Sequence, residues 1–385
     1  MTRVLVVGAG PVGLTAALAL ARRGVEVTVL EAGPDLATES RASTFHPPSL
    51  EMLADLGVLD ALMAKGITST TFQYRDRSGG VIADLDLSVL AGDTAYPFRV
   101  QCEQSRLTPI LRDAFLALPG AAVEYDAAVT EVRQTGVGVG VDAGRPYDAD
   151  WLIGADGASS AVRKSLALDF EGLTYPERFL VVSTTEDLEQ ILPGIAAVNY
   201  VFDPDEWLVL LRTPDHWRVL FPTEPETPDE VEIARVQERL SGVVDLGRDW
   251  AVLHTSLYRV HQRVASTFRV GRVLLAGDAA HVNNPLGGMG MNSGLHDAVA
   301  FAQALADLLE GGEDRLDEVA ARRRWVATDY VKAQTHGNWE QIRERDPVAR
   351  AALHETLRAR AASPEAMRDY LLTTSMIDSL RTVVR

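Results

Sequence analysis

A short apolar run, Val4 to Val7, leads straight into Gly8, Gly10 and Gly13 and then into a helical stretch, Leu14 to Arg23, that closes at Gly24. A buried parallel strand, a glycine turn and a helix in this register constrain the chain more than any other feature. The first two glycines let the backbone approach a pyrophosphate, and Gly13 lets the helix pack tightly on the strand. Pro11 has no N–H to lose in the first turn, whose free amides form an anion site. A second strand, Val25 to Leu30, ends in Glu31, a carboxylate suited to accept from ribose hydroxyls and to repel a 2′-phosphate. Strand, glycines, helix, strand and acid together read as the site of an ADP moiety rather than a turn without a ligand.

Two further blocks follow, LIGADGASSAVR from Leu152 to Arg163 and RVLLAGDAAHVNNPLGGMGMNSG from Arg272 to Gly294. In the latter, Val273 to Ala276 read as a buried strand broken by Gly277. Asp278 is left at the carboxyl end, where open α/β sheets bind ligands. Pro285, Gly287, Gly288 and Gly290 give a loop that can run flush against a flat ring, and Asn292 to Leu309 read as a helix. Its free N-terminal amides favour negative charge on a group docked against that loop.

In this order, the three blocks resemble those of the single-component flavoprotein monooxygenases, the aromatic hydroxylases typified by 4-hydroxybenzoate hydroxylase. The likeness spans nearly the whole chain, although only the three blocks are specific. It implies non-covalent FAD, its ADP half on Gly8, Gly10, Pro11, Val12, Gly13, Glu31 and Ala32, with Val129 assigned to the same set. Asp156, Gly157 and Arg163 would serve both FAD and a nicotinamide nucleotide, and Asp278 the ribityl side. Gly288, Met289, Gly290, Met291 and Asn292 would line the ring; relatives usually carry Gln at the place of Met289. Arg41, in ESRAST, would touch FAD and meet incoming NADH or NADPH, while Gln104 would open a helix beside the flavin. Arg106 fits a solvated surface charge equally well.

The chemistry implied is the cofactor's: reduced FAD and dioxygen give a C4a-hydroperoxide whose distal oxygen passes to an electron-rich ring. The expected reaction is NAD(P)H- and O2-dependent hydroxylation of a small phenolic or heteroaromatic substrate. The protein excludes water and orients the ring. Arg41, Pro285, Tyr200 and Arg212 are the catalytic assignments, with His216, Arg218 and Tyr258 as further substrate contacts. For each sheet residue, a core aromatic or a surface arginine is the plainer reading. A related flavin reductase or halogenase, or a flavin-binding regulatory protein without turnover, stands as the alternative, although no Trp-x-Trp-x-Ile-Pro segment is present for a halogenase.

Charge comes to 37 minus 54, a net of −17 with no basic tract, which argues against nucleic acid as a partner. Cys102 is the only cysteine, so no intramolecular disulfide forms, no metal site is assigned, and a cytoplasmic protein is expected, away from membranes, as monomer or homodimer. The fold class is α/β, a discontinuous Rossmann-like FAD-binding domain with an inserted, mainly β substrate domain and C-terminal helices. The expected limits are 1–70, 97–175 and 265–315 for the first, 71–96 and 176–264 for the second, and 316–385 for the helices. Strand-like runs such as AAVNYVF and HWRVLFP mark the insert, and Thr70 to Leu87 reads as a hairpin of the same sheet. Arg322, Arg323 and Arg324 read as a solvated helix face or as partners of acids.

Overall fold

The computed structural model describes residues 3–39, 42–78 and 80–381, so Arg41 lies outside the described residues, as does Gly79 at the tip of the expected hairpin. Among the described residues the strands form two principal sheets. In the first, of six strands, Arg3–Val7 lies at the centre, with Glu26–Leu30 and Trp151–Gly154 parallel to it on either side. Val273–Leu275 lies parallel beyond Trp151–Gly154. Three adjacent parallel strands therefore deliver the three sequence blocks to one edge of one sheet, which is where such sheets bind ligands.

Small residues let these blocks touch. A Cβ on Gly13 would collide with the carbonyl oxygen of Gly8, and one on Gly8 would stand 2.5 Å from the carbonyl oxygen of Ala155 in the second block. A Cβ on Gly294 would lie 2.6 Å from Val12 Cγ2 and 3.1 Å from Gly277 Cα. Helix Pro11–Arg22 thereby packs directly on helix Met289–Leu309. The latter begins ahead of the expected Asn292, because Gly288 takes the left-handed cap conformation and Met289 to Met291 continue as helix.

Inside that helix the fully buried Asp297 accepts from the Gly277 amide at 3.0 Å, from His281 Nε2 at 2.8 Å and from Arg323 Nε at 2.6 Å. Of the two readings of the arginine run, Arg323 takes that of acid partner, and it is buried rather than on a solvated face. Burial works to raise the Asp297 carboxyl, but Arg323 and then His281 outweigh it and hold the group below its ordinary value.

The second sheet has eight strands, in the order His281–Val282, Val252–Ala265, Phe170–Thr184, Trp217–Thr223, Leu208–Arg212, Val198–Phe202, Thr71–Asp76 and Gly80–Asp86. The hairpin joins it as expected, through the parallel pairing of Thr71–Asp76 with Val198–Phe202. Side chains alternate along each strand, so this sheet has two independent apolar faces. One carries Phe72, Tyr74, Tyr200 and Val209, and is covered by Leu286 and by Leu357, Met367 and Leu371 of the C-terminal helices. The other carries Val201, Leu208, Leu210 and Val219, sealed by Val236 and Leu240. Helices Asp229–Ala234 and Val236–Val243, which supply that seal, are not evident in the sequence reading. Asp93 pins the C-terminal helices through Arg368 at 2.8 Å and Arg381 at 3.1 Å.

Cys102 is buried, and burial pushes its thiol up to about 11, in keeping with a small apolar filler. Among the described residues no helix is long and apolar enough to cross a membrane.

Asp297→Asn leaves Arg323 buried without its counter-charge, and the expected cost is about 3–5 kcal/mol, read from urea unfolding at fixed FAD concentration. Because the folded carboxyl sits below its unfolded value, its contribution is in place above about pH 4 and fades as pH falls through the lowered value. An Asn variant as stable as the parent across this range would remove the triad from the account.

Candidate active site

At the first block, Gly10 caps helix Pro11–Arg22 with no side-chain hydrogen bond, so the first-turn amides have no capping group of the protein. A Cβ on Gly10 would meet nothing within 4 Å. The turn is thus an open cradle lined by donors, and a pyrophosphate fits it. Glu31 accepts from the amides of Ala9 at 2.7 Å and Gly33 at 3.0 Å, which fixes its carboxylate beside the turn. Ala32 is exposed next to it. The amides of Asp126 and Ala127 donate to the carbonyls of Gly33 and Glu31, bringing partly buried Val129 to the same rim. This region fits the ADP half of FAD.

The second block spends its charged groups internally. Asp156 accepts from Ser160 Oγ at 2.6 Å and from the amides of Ala161 and Val162 at 2.7 and 3.2 Å. Arg163, placed on the cofactor by the sequence reading, is buried and donates to the carbonyls of Ala158 at 2.7 Å and Ala279 at 2.8 Å, with its guanidinium 3.7 Å from the centre of the Phe170 ring. It fastens the second block to the third. Gly157 turns the chain between them with φ of +79°.

In the third block Asp278 stands solvent-exposed on the short turn Gly277–Ala279, next to the contact of Gly277 with Val12. Past the partly buried Pro285, the Gly288 amide donates to the Pro285 carbonyl at 3.0 Å. Asn292 is a bracket: it donates to the carbonyls of Thr44 and Gly288 at 2.8 and 2.7 Å, and its Oδ1 accepts from the His46 amide at 2.9 Å. Met289 corrects one expectation. Its side chain is buried with Val326, Val331 and Met376 of the C-terminal region, so only its backbone is left for a cofactor. Met291 packs into the main core. Gln104 begins helix Gln104–Leu116, its amide donating to the Ala42 carbonyl at 2.9 Å.

The sheet residues divide by strand alternation. Tyr200 lies on the inner face, its ring 5.5 Å from that of Tyr74, in the same packed cluster as Leu286 of the Pro285–Gly288 turn. Arg212, assigned to catalysis with it, lies on the opposite face: Val209 and Leu211 point inward, so Arg212 points out, toward Trp217 and the Thr213 carbonyl, with Glu189 at 3.7 Å. It does not join the site. Arg218 is on the inner face but farther along, 3.5 Å from Ser43 Oγ, where His216 also approaches Glu103 at 3.7 Å. Tyr258 is over a third exposed and abuts Phe179.

What the sequence reading misses is Arg99. Strand Arg99–Gln101 pairs with Thr44–Phe45 and Ile67–Ser69, and its register sets Arg99 beside His46, next in line after Phe45. Arg99 is 3% exposed, and its nearest charged or titratable neighbours are Tyr74, Tyr200, Tyr370 and His46. Among the described residues no carboxylate pairs with it, and its Nε is buried without a partner. Its guanidinium rests 4.2 Å from the centre of the Phe72 ring, a contact worth ~2 kcal/mol when desolvated. Burying an unpaired ion costs several kcal/mol, so the ring alone does not compensate. His46 Nε2 donates to the Gly287 carbonyl at 2.9 Å, and burial, then Arg99, keeps the imidazole neutral. The hydroxyls of Tyr74 and Tyr370 are 2.6 Å apart; burial raises the pKa of both, so both remain protonated. Tyr370, in helix Pro364–Thr374 of the C-terminal region, is also missed. Nothing in FRVQC distinguishes a site arginine from a surface one, because Val100 and Cys102 alternate with Arg99 and Gln101 as in any half-exposed strand.

Residues 1–334 match the family model described as FAD binding domain. Para-nitrophenol 4-monooxygenase of Pseudomonas sp. (strain WBC-3) is 33% identical over 392 residues, covering 99% of this chain and 97% of that protein. For 6-hydroxy-3-succinoylpyridine 3-monooxygenase of Pseudomonas putida (strain DSM 28022 / S16), identity is 36% over 355 residues and 90% of each chain. The crystal structure of p-nitrophenol 4-monooxygenase from Pseudomonas putida DLL-E4 superposes with a TM-score of 0.92 at 32% identity, over 100% of both chains.

Removing Glu31 or Asp278 as Ala variants is expected to weaken FAD retention by about 1–3 kcal/mol, roughly 5- to 150-fold in Kd, measured by ultrafiltration against free FAD. Unchanged retention in both would dissociate these carboxylates from the cofactor. Gly288→Val tests something else: with φ of +67° and a Cβ 3.3 Å from Thr44 Cβ, the position resists a side chain for backbone reasons. Its melting temperature is expected to fall even in the apoprotein.

Proposed function

We propose that this chain, which belongs to the family of single-component FAD-dependent aromatic monooxygenases, hydroxylates a small phenolic or hydroxypyridine-like ring held between the tyrosine face of its second sheet and the Pro285–Gly288 turn. The packing of Tyr74 and Tyr200 in one cluster with Leu286 carries this reading, since it joins the sheet to the loop that leads into the flavin-side helix. Relatives named for p-nitrophenol and for 6-hydroxy-3-succinoylpyridine support the ring class. Bound FAD, reduced by NADH or NADPH, supplies the activation of O2 for transfer of one oxygen atom to the ring.

The residues of the chain orient and desolvate. Tyr74 and Tyr200 are buried and protonated, so they offer hydroxyl donors to a ring oxygen. Tyr370 closes the face from the C-terminal helices, and the aromatic and aliphatic lining around them excludes water. Domain limits near 1–70, 97–175 and 265–315 for FAD, with 71–96 and 176–264 for substrate, remain our assignment. Three strands cross those limits, Phe170–Thr184 at its start, Val252–Ala265 at its last residue and His281–Val282 in full, so the sheets share a seam rather than a linker.

Addition of a substrate phenol is expected to stimulate NAD(P)H oxidation and to place one atom of 18O2 in the product. Stimulated oxidation without label would indicate a reductase, and bound FAD with no stimulation by any ring tested would indicate a regulatory protein. Tyr200→Phe is expected to lower product formed per NAD(P)H by ~2- to 10-fold, the worth of one hydrogen bond, with FAD retention unchanged. A yield equal to the parent's would displace the ring from this face.

A further inference from the structure

The geometry points to Arg99 as an anion receptor beside the tyrosine face of the second sheet, so that the ring is taken up as an oxyanion, phenolate or carboxylate, in preference to its neutral counterpart. This rests on the substrate face proposed above and adds the charge state and the residue that selects it.

Four observations converge. Arg99 is nearly fully buried, and no carboxylate among the described residues neutralises it. Its Nε has no hydrogen-bond acceptor, although buried guanidinium groups in folded proteins are almost always paired. The groups around it are the hydroxyls of Tyr74, Tyr200 and Tyr370 and the imidazole of His46, all donors or neutral at ordinary pH. Finally, the same shell touches the Pro285–Gly288 turn through His46 Nε2 on the Gly287 carbonyl and through the packing of Tyr74 and Tyr200 with Leu286, so a ligand there abuts the flavin-side loop. A cation with spare donor capacity, ringed by hydroxyls and aromatic faces, is complementary to an aromatic oxyanion. The rest of the protein, with a net charge of −17, repels such a ligand at a distance, which leaves this local cation as the selecting element.

The shell also fixes the expected pH behaviour. His46 is held neutral by burial and then by Arg99; Tyr74 and Tyr200 are held protonated by burial; Tyr370 is too, with Arg360 beside it. None of these groups changes charge between about pH 6 and 9. A pH dependence of binding in that window belongs to the ligand.

The test is equilibrium titration of the FAD-loaded enzyme, read from the flavin absorbance change, with two matched pairs: 4-nitrophenol against 4-nitroanisole, and 4-hydroxybenzoate against 4-hydroxybenzamide. The parent is expected to prefer the anion by at least about tenfold in one pair, and which pair responds separates phenolate from carboxylate. In Arg99→Met that preference collapses to within about twofold while FAD stoichiometry is kept, and Arg99→Lys restores part of it. A parent that binds neutral and anionic partners alike, or a Met variant that keeps the preference, overturns the assignment. Should the Met variant not hold FAD, the parent alone decides: affinity for the ionisable member of the pair that responds must rise as pH passes upward through the ionisation of that ligand's phenol or carboxyl group, and a flat profile overturns the proposal. Because binding is read without turnover, loss of anion selectivity with hydroxylation intact removes only this inference. Anion selectivity without any labelled product removes the hydroxylase reading instead.

Discussion

The molecule depends on a close meeting of backbones around the side chain of Val12. Gly8, Gly13, Gly277 and Gly294 let three distant stretches of chain converge around Val12, and any one Cβ there would force strands or helices apart. Close packing of this kind is unforgiving, because interiors at crystal-like density have no slack to absorb a methyl group. The cofactor edge, the placement of the flavin-side helix and the position of the second sheet all follow from that contact. The Asp297 triad and Arg163 lock it from behind with buried charge, one from the C-terminal region and the other from the second block.

The first and third blocks were legible because they couple glycine spacing to strand and helix periodicity, two signals that depend only on local sequence. The insertion of a sheet into the nucleotide-binding unit was legible for a similar reason: texture changes where helix alternation gives way to Val- and Leu-rich runs. What the sequence hid is everything decided by which face a residue lands on. Tyr200 and Arg212 look equally suitable on paper, yet the register of Val198–Phe202 with Leu208–Arg212 sends them to opposite sides. Met289 sits in the glycine loop but answers to the C-terminal helices. Arg99 and Arg323 carry the same side chain as a dozen solvated arginines, and only tertiary packing makes them buried.

The C-terminal region emerges as part of the site rather than an appendix. Its helices cover the tyrosine face, Tyr370 meets Tyr74, and Arg323 reaches under the third block. Asp93 ties the far end of this region to the loop beyond the hairpin with two arginines. Four stretches far apart in the chain therefore meet around the proposed substrate face: the strand pair at Thr44 and Arg99, the sheet, the Pro285 turn and the last helices.

Strand alternation gives the second sheet two cores that share a backbone and little else. Residues such as Tyr74, Tyr200 and Val209 face Leu286 and the C-terminal helices, while Val201, Leu208 and Leu210 hold the sheet to its outer helices. Exchange of an inward residue alters the shape and polarity of that inner face and leaves the outward core its full complement of contacts. Such a scaffold separates recognition from folding, and a lineage can trial new ring substituents on one side of the sheet while selection for stability acts on the other.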